Sequence, residues 1–239
     1  GCCLLMFFYF YYACPQKSVR LIGSVLSALN ILGAGSRSGI ISLIIAFVLS
    51  QYLAAFLKRN TPMLLIRNTL IVFILVSCGV LLFSNLFPEQ FEFLTMRFDN
   101  AEAAMTTQGR GVQLGEYLDL MNTDISYYLF GIGSTAIIEI GYLEVDFAYI
   151  IVAYGIMGVI LHYLLIVLLC AKVHRMRHVD HKLYLFIMSI TISSLIFSIG
   201  FYFLQEMYMG FVYWWLIGIA YGMLIIQERA YDHKKKLNK

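Results

Sequence analysis

Charge is scarce in this sequence. Only 13% of its 239 residues are charged, against 61% hydrophobic, and the mean hydropathy is +0.79. A soluble domain carries about a quarter charged residues, so the scarcity excludes a water-borne globular protein and leaves a polytopic membrane protein. Paired CxxC spacings are absent too. Cys2, Cys3, Cys14, Cys78 and Cys170 all fall in apolar runs, which signals neither a disulfide scaffold nor a metal site and reads as buried, inert thiols. No GxSxG, HExxH, Walker or dinucleotide fingerprint occurs, which removes support for serine-hydrolase and zinc chemistry. The basic residues are spread over short loops rather than gathered on one face, which argues against nucleic-acid binding.

What is present is a series of long apolar runs. Spanning segments are expected at 4–14, 19–34, 38–57, 64–84, 142–170, 183–204 and 208–227. The first is too short for a bilayer that needs about 20 helical residues. With no Met and no basic leader before it, it reads as the end of a helix, and the chain as the C-terminal part of a larger protein. The expected class is all-α: one polytopic transmembrane helix bundle over residues 1–239, with a long external loop carrying a short amphipathic helix. In 19–34, Ser24, Ser27 and Asn30 recur every third residue, a face suited to packing on other helices or lining a cavity.

Basic residues in short loops favour the cytoplasm. When the spans alternate, Arg37, Arg97 and Arg110 are the only ones of 17 Lys and Arg residues left outside, and Asp180, Glu228 and Asp232 the only ones of 14 acids left inside. This puts the C-terminus in the cytoplasm. It also puts residues 85–140 outside, far longer than an ordinary helix connection and too rich in aromatic residues to read as disordered. Within this loop Leu114, Tyr117, Leu118 and Met121 follow amphipathic helical spacing, with Glu116 and Asp119 on the other face. On the inner side, His174, His178 and His181 sit among Lys and Arg. Those neighbours repel a metal cation, so the loop reads as a solvated positive-inside segment.

The three outer arginines are the candidates for binding. A guanidinium close to hydrocarbon costs roughly 2.5 to 3.5 kcal/mol on insertion scales, and its planar donor fork matches phosphate oxygens. Arg37 lies in the short turn GAGSRSG, where Ser36 and Ser38 add hydroxyls and can cap the following helix, leaving N–H groups for an anion. Arg110, in TTQGRGVQLGEYLDLM, precedes the amphipathic helix. Arg97 has Asp99 beside it, so a local ion pair competes with ligand binding there. Pairing with outer acids or snorkelling to headgroups is the alternative for each. Glu144 and Asp146, at the start of the helix containing AYGIMG, are the acid–base candidates, because a carboxylate against hydrocarbon can acquire a useful pKa. Their plain alternative is that acids favour helix N-termini. Gly155 and Gly158 read as a close helix contact.

The order of these motifs resembles the bacterial O-antigen polymerase and ligase superfamily, the Wzy-type polysaccharide polymerases and their relatives. GSRSG opens an apolar helix. A further helix, a long loop with GRGVQLGEYLDLM, then YYLFGIGS and an acid-bearing helix start before YGIMG follow, over roughly residues 30–170. The resemblance implies a metal-independent, cofactor-free glycosyltransferase in the bacterial cytoplasmic membrane. Its substrate would be a polyprenyl-diphosphate-linked oligosaccharide, and a chain-length regulator protein is an expected partner alongside membrane lipid. It assigns Arg37 and Arg110 to the diphosphate, with Arg97 a weaker match. Ligase relatives carry a histidine where this chain has GYLEVDFAY, which favours polymerase and leaves Glu144 or Asp146 as the base. His162 is expected deep in its helix or toward the cytoplasm. A carrier or flippase for the same lipid-linked glycan would use the same arginines but polar or broken helices, whereas 38–57, 142–170 and 183–204 read as continuous. A purely structural membrane subunit is the third reading.

Overall fold

A computed structural model of the chain describes residues 1–34, 36–57, 66–67, 70, 77, 79–81, 83–99, 110–135, 137, 146–199 and 207–237. Among these the structure is all-helical, without a strand. The helices are α1 (Cys2–Phe8), α2 (Lys17–Gly33), α3 (Arg37–Leu57), α4 (Pro88–Asp99), α5 (Arg110–Met121), α6 (Ile125–Phe130), α7 (Asp146–Arg175), α8 (His181–Ser198) and α9 (Met207–Leu237). Parts of α3, α7, α8 and α9 are long and apolar enough to cross a membrane. Most of the expected span 64–84 lies outside the described residues.

The helix α1 widens into a π turn over Tyr9–Ala13 and stops where Cys14 turns extended. The ring of Pro15 disfavours helix in the residue before it, which accounts for the stop. Its aromatic residues pack on α3: Phe7 and Tyr11 meet the Phe47 ring at 5.8 and 4.9 Å between centroids. At the same face Tyr12 donates a 2.6 Å hydrogen bond to Ser50 Oγ. Buried hydroxyls need such partners because no water is at hand.

In α2 the usual amphipathic order is inverted. Gly23, Ser24, Ser27 and Ile31 are buried while Leu21, Ile22, Val25, Leu26 and Leu29 are exposed. That arrangement suits a helix with lipid outside and small residues against its neighbours. A Cβ on Gly23 would run into the Phe10 ring, so the close approach of α2 to the first helical segment depends on that glycine. Asn30 departs from the serine face: it is exposed and donates to Leu26 O at 2.9 Å. Steps of three residues drift about 60° per step around a helix of 3.6 residues per turn, which turns Asn30 away from Ser24. At 17 residues α2 is also shorter than the four candidate spans.

The centre of the bundle is α8, whose apolar stretch is 67% buried inside the protein against 28% for each of the other three candidate spans. Small residues allow this. Ser42, Ala46 and Ser50, four residues apart on α3, are fully buried, as are Ser189, Ser193 and Ser194 on α8. Three of the hydroxyls on these helices bond to their own helix backbone: Ser42 Oγ to Ser38 O at 2.5 Å, Thr191 Oγ1 to Ile187 O at 2.8 Å and Ser193 Oγ to Ile190 O at 3.0 Å. On the other side α9 contributes Tyr213, Ile217, Ala220 and Leu224, and Tyr213 donates to Thr191 Oγ1 at 3.3 Å. The terminal YDHKKKL continues α9 as helix to Leu237.

At the basic end, Asp180 caps α8 by accepting from Lys182 N at 2.8 Å and Leu183 N at 3.1 Å. His174 bridges Arg177 Nη1 at 2.5 Å and the Tyr184 hydroxyl at 2.9 Å. A guanidinium has only donors, so Nε2 accepts and Nδ1 carries the proton toward Tyr184. The imidazole is thereby committed to protein partners.

If small residues set the α3–α8 distance, enlarging one must separate the helices. Ala46→Leu is expected to lower stability by about 1–3 kcal/mol, whereas Ile45→Leu, at an exposed position, leaves it unchanged. Thermal unfolding of the two variants in detergent checks this.

Candidate functional site

The turn between α2 and α3 is compact. Ser36 is the N-cap of α3: its Oγ accepts from Gly39 N at 3.2 Å and its carbonyl accepts from Ile40 N at 3.0 Å. Ser38 Oγ lies 3.3 Å from Ser36 Oγ. Arg37 is therefore the first residue of α3, at the positive end of the helix dipole. Arg110 is the first described residue of α5. Arg97 lies in the last turn of α4. The side chains of Arg37, Arg97 and Arg110, and the whole of Glu144, lie outside the described part of the structure. Ile31 and Ile40, which flank the Ser36 turn, pack in the core that includes α1, α3, α8 and α9, whereas α5 belongs to a second core around Tyr117, Met121, Ile137, Tyr149 and Val152.

In α5, Tyr117 and Met121 are buried while Glu116 and Asp119 face out, as the spacing implies. Leu118 is exposed instead of joining the apolar face, and the Leu114 side chain is outside the described part. Tyr117 donates to Ile137 O at 3.2 Å, and burial, with Glu116 adding to it, pushes its phenol pKa above the ordinary value. Next in the chain, Asp124 caps α6 by accepting from Ser126 N at 2.8 Å. The Ser126 hydrogen bonds hold its carboxyl below the usual range.

The helix expected to run unbroken through 142–170 is interrupted. Gly155, inside α7, has φ 63 and ψ −166, and the chain folds back there. The Phe147 and Tyr163 rings are 6.3 Å apart between centroids, whereas sixteen residues of continuous helix would separate them by about 24 Å. Breaking a helix frees carbonyls that a following turn would have filled. Here Val152 O takes Ile132 N at 2.8 Å and Ala153 O takes Gly133 N at 3.1 Å. The FGIG segment is thus locked onto AYG. A Cβ at Gly131 would overlap the Ala153 backbone, and one at Gly155 the Leu129 backbone. Gly131 and Gly133 also have positive φ, 77 and 89. The close helix contact expected of Gly155 is real, and its partner is the C-terminal end of α6.

The fold-back changes the neighbours of Asp146. This residue opens α7 and is completely buried, and it interacts electrostatically with His162 and Tyr163. The sequence alone places His162 deep in its helix or toward the cytoplasm. The turn at Gly155 returns it to the level of Asp146, and its Nε2 is buried without a hydrogen-bond partner among the described residues. Two signals could have found it: a 30-residue helix is about 45 Å long, more than a bilayer core requires, and the only glycines within it, Gly155 and Gly158, sit near its middle.

Compared with protein-family models, curated proteins and solved structures, the chain matches none of them.

The lock makes a graded prediction. Gly133→Ala meets no neighbour and is expected to cost only the left-handed backbone strain, about 1–2 kcal/mol. Gly131→Ala and Gly155→Ala add backbone overlap, about 1–3 kcal/mol more. Denaturant titration of the three variants in one detergent ranks them.

Proposed function

We propose that the protein extends a surface polysaccharide, transferring polyprenyl-diphosphate-linked oligosaccharide repeat units on the outer side of the bacterial cytoplasmic membrane. The observation that carries this reading is the place of Arg37 and Arg110. Both depart from the basic side of the chain, and Arg37 opens a helix, where the guanidinium and the helix dipole favour the same anion. Ser36 and Ser38 supply hydroxyls beside the first of them.

In the reaction a hydroxyl of the acceptor sugar attacks the anomeric carbon of the donor glycan. The bond from that carbon to the diphosphate oxygen breaks, and its electron pair leaves with the diphosphate. Arg37 and Arg110, with Arg97 in a supporting role, stabilise the charge that develops there. The hydroxyl proton passes to the Glu144 carboxylate and then to water, Asp146 being fully buried. Residues 85–140 form the external part, and the C-terminus is cytoplasmic.

A second reading gains from the break at Gly155. Interrupted membrane helices mark carriers, so export of the same lipid-linked glycan without chemistry is the alternative. Glycan chain length separates the readings in cells lacking the native gene and supplied with the full-length protein. With Arg37→Ala or Arg110→Ala at matched membrane abundance, the ladder is expected to collapse to a single repeat on its acceptor, with turnover reduced on the order of a hundredfold or more. Loss of even the single repeat favours export or ligation. An unchanged ladder removes both arginines from the site.

A further inference from the structure

The short helix α6 has no buried residue. Ile125 is 83% exposed and Phe130 66%, with Leu129 exposed between them. Three large apolar side chains on a six-residue helix would be an anomaly in an aqueous loop. They are not isolated. Through the 131–133 lock α6 sits against Gly155, and beyond Gly155 α7 continues the same kind of surface with Ile156, Ile160, Leu161, Leu164 and Leu168 all exposed. The apolar exterior of a spanning helix therefore passes without interruption onto α6.

Depth follows from helix geometry. From Ile156 to Arg175, the second arm of α7 is about 30 Å long, enough to cross the hydrocarbon core. Its far end carries Lys172, His174 and Arg175, so Gly155 marks the opposite face. The first arm, Asp146–Tyr154, runs back alongside it and puts Asp146 about 13 Å below the Gly155 level. A backbone break at the edge of the hydrocarbon core is stable only when its polar groups are satisfied within the protein. The bonds from Ile132 and Gly133 meet that condition at the break. A carboxyl at that depth should face the protein interior, and Asp146 is fully buried.

We infer that residues 125–155 include a membrane-inserted unit: α6 lies in the lipid interface with Ile125, Leu129 and Phe130 against acyl chains, and Asp146–Tyr154 is a re-entrant half-helix that carries Asp146 into the bilayer. The occupant of the apolar α6 face is lipid, as it is for the spanning arm with which that face is continuous. This inference needs only that α7 crosses a bilayer, and it holds whether or not the protein transfers a glycan.

The test places a nitroxide at single cysteines, Ile125→Cys, Phe130→Cys, Glu116→Cys, Phe147→Cys and Ile156→Cys, in the full chain with its native cysteines replaced by alanine. The protein is reconstituted in phosphatidylethanolamine–phosphatidylglycerol vesicles, and collisions with oxygen and with a water-soluble nickel chelate are compared. Positions 125 and 130 are expected to be open to oxygen and shielded from nickel, with the reverse at 116. Position 147 is expected to lie deeper than 156. Nickel access at 125 and 130 equal to that at 116 would place α6 in water. Exclusion of both reagents there would mean a protein surface covers it. Either result overturns the lipid assignment, and a position 147 shallower than 156 overturns the re-entrant arm.

Discussion

Two backbone carbonyls govern the architecture. When α7 breaks at Gly155, Val152 O and Ala153 O lose the N–H groups that a continuing helix would have offered, and the N–H groups of Ile132 and Gly133 replace them. In a bilayer an unsatisfied backbone group costs several kcal/mol, so neither the break nor the FGIG segment is stable without the other. From this exchange follow the docking of α6, the closeness demanded of Gly131 and Gly155, and the return of His162 to the level of Asp146. It also joins the two cores: the first arm of α7 packs with Tyr117 and Met121, and the second arm contributes Ile166 and Val173 to the main bundle.

The main bundle obeys a different constraint. Lipid offers apolar side chains as good a home as the protein interior does, so helices associate through close fit and hydrogen bonds. The buried positions of α3 accordingly include Ser42, Ala46 and Ser50, and α8 buries Ser189, Thr191, Ser193 and Ser194 among its larger apolar residues, while many leucines and isoleucines lie outside on α2 and on the second arm of α7. Tyr12 and Tyr213 reach across with hydroxyls to Ser50 and Thr191. The same logic explains why α8, with the most small polar residues, is the most enclosed helix.

Much of this was legible in the order of residues. Apolar runs mark α3, α8 and α9 because hydropathy and length are properties of a single segment. The Ser36 cap and the Tyr117/Met121 face could be read because they depend on neighbours three or four residues away. The fold-back at Gly155 could not, because what stabilises it is a pair of hydrogen bonds to residues far earlier in the chain, Ile132 and Gly133, and a glycine in an apolar helix is ordinarily only a packing contact. For the same reason the nearness of Asp146 to His162 could not be read. Asn30 and Leu118 were misassigned by assuming that a repeat of three or four keeps one face over several turns. The proposed diphosphate arginines rest on charge distribution and the first-turn position of Arg37 in α3.

The most direct measurement of the fold-back is a cross-link. With Phe147→Cys and Tyr163→Cys introduced together into the chain lacking its native cysteines, and the protein kept in membranes, a short bifunctional thiol reagent, its span well under the separation in a continuous helix, should join the two positions within one molecule. The single variants should show no such product. A helix continuous through Gly155 holds these positions about 24 Å apart, and failure of the pair to cross-link in folded protein would contradict the account.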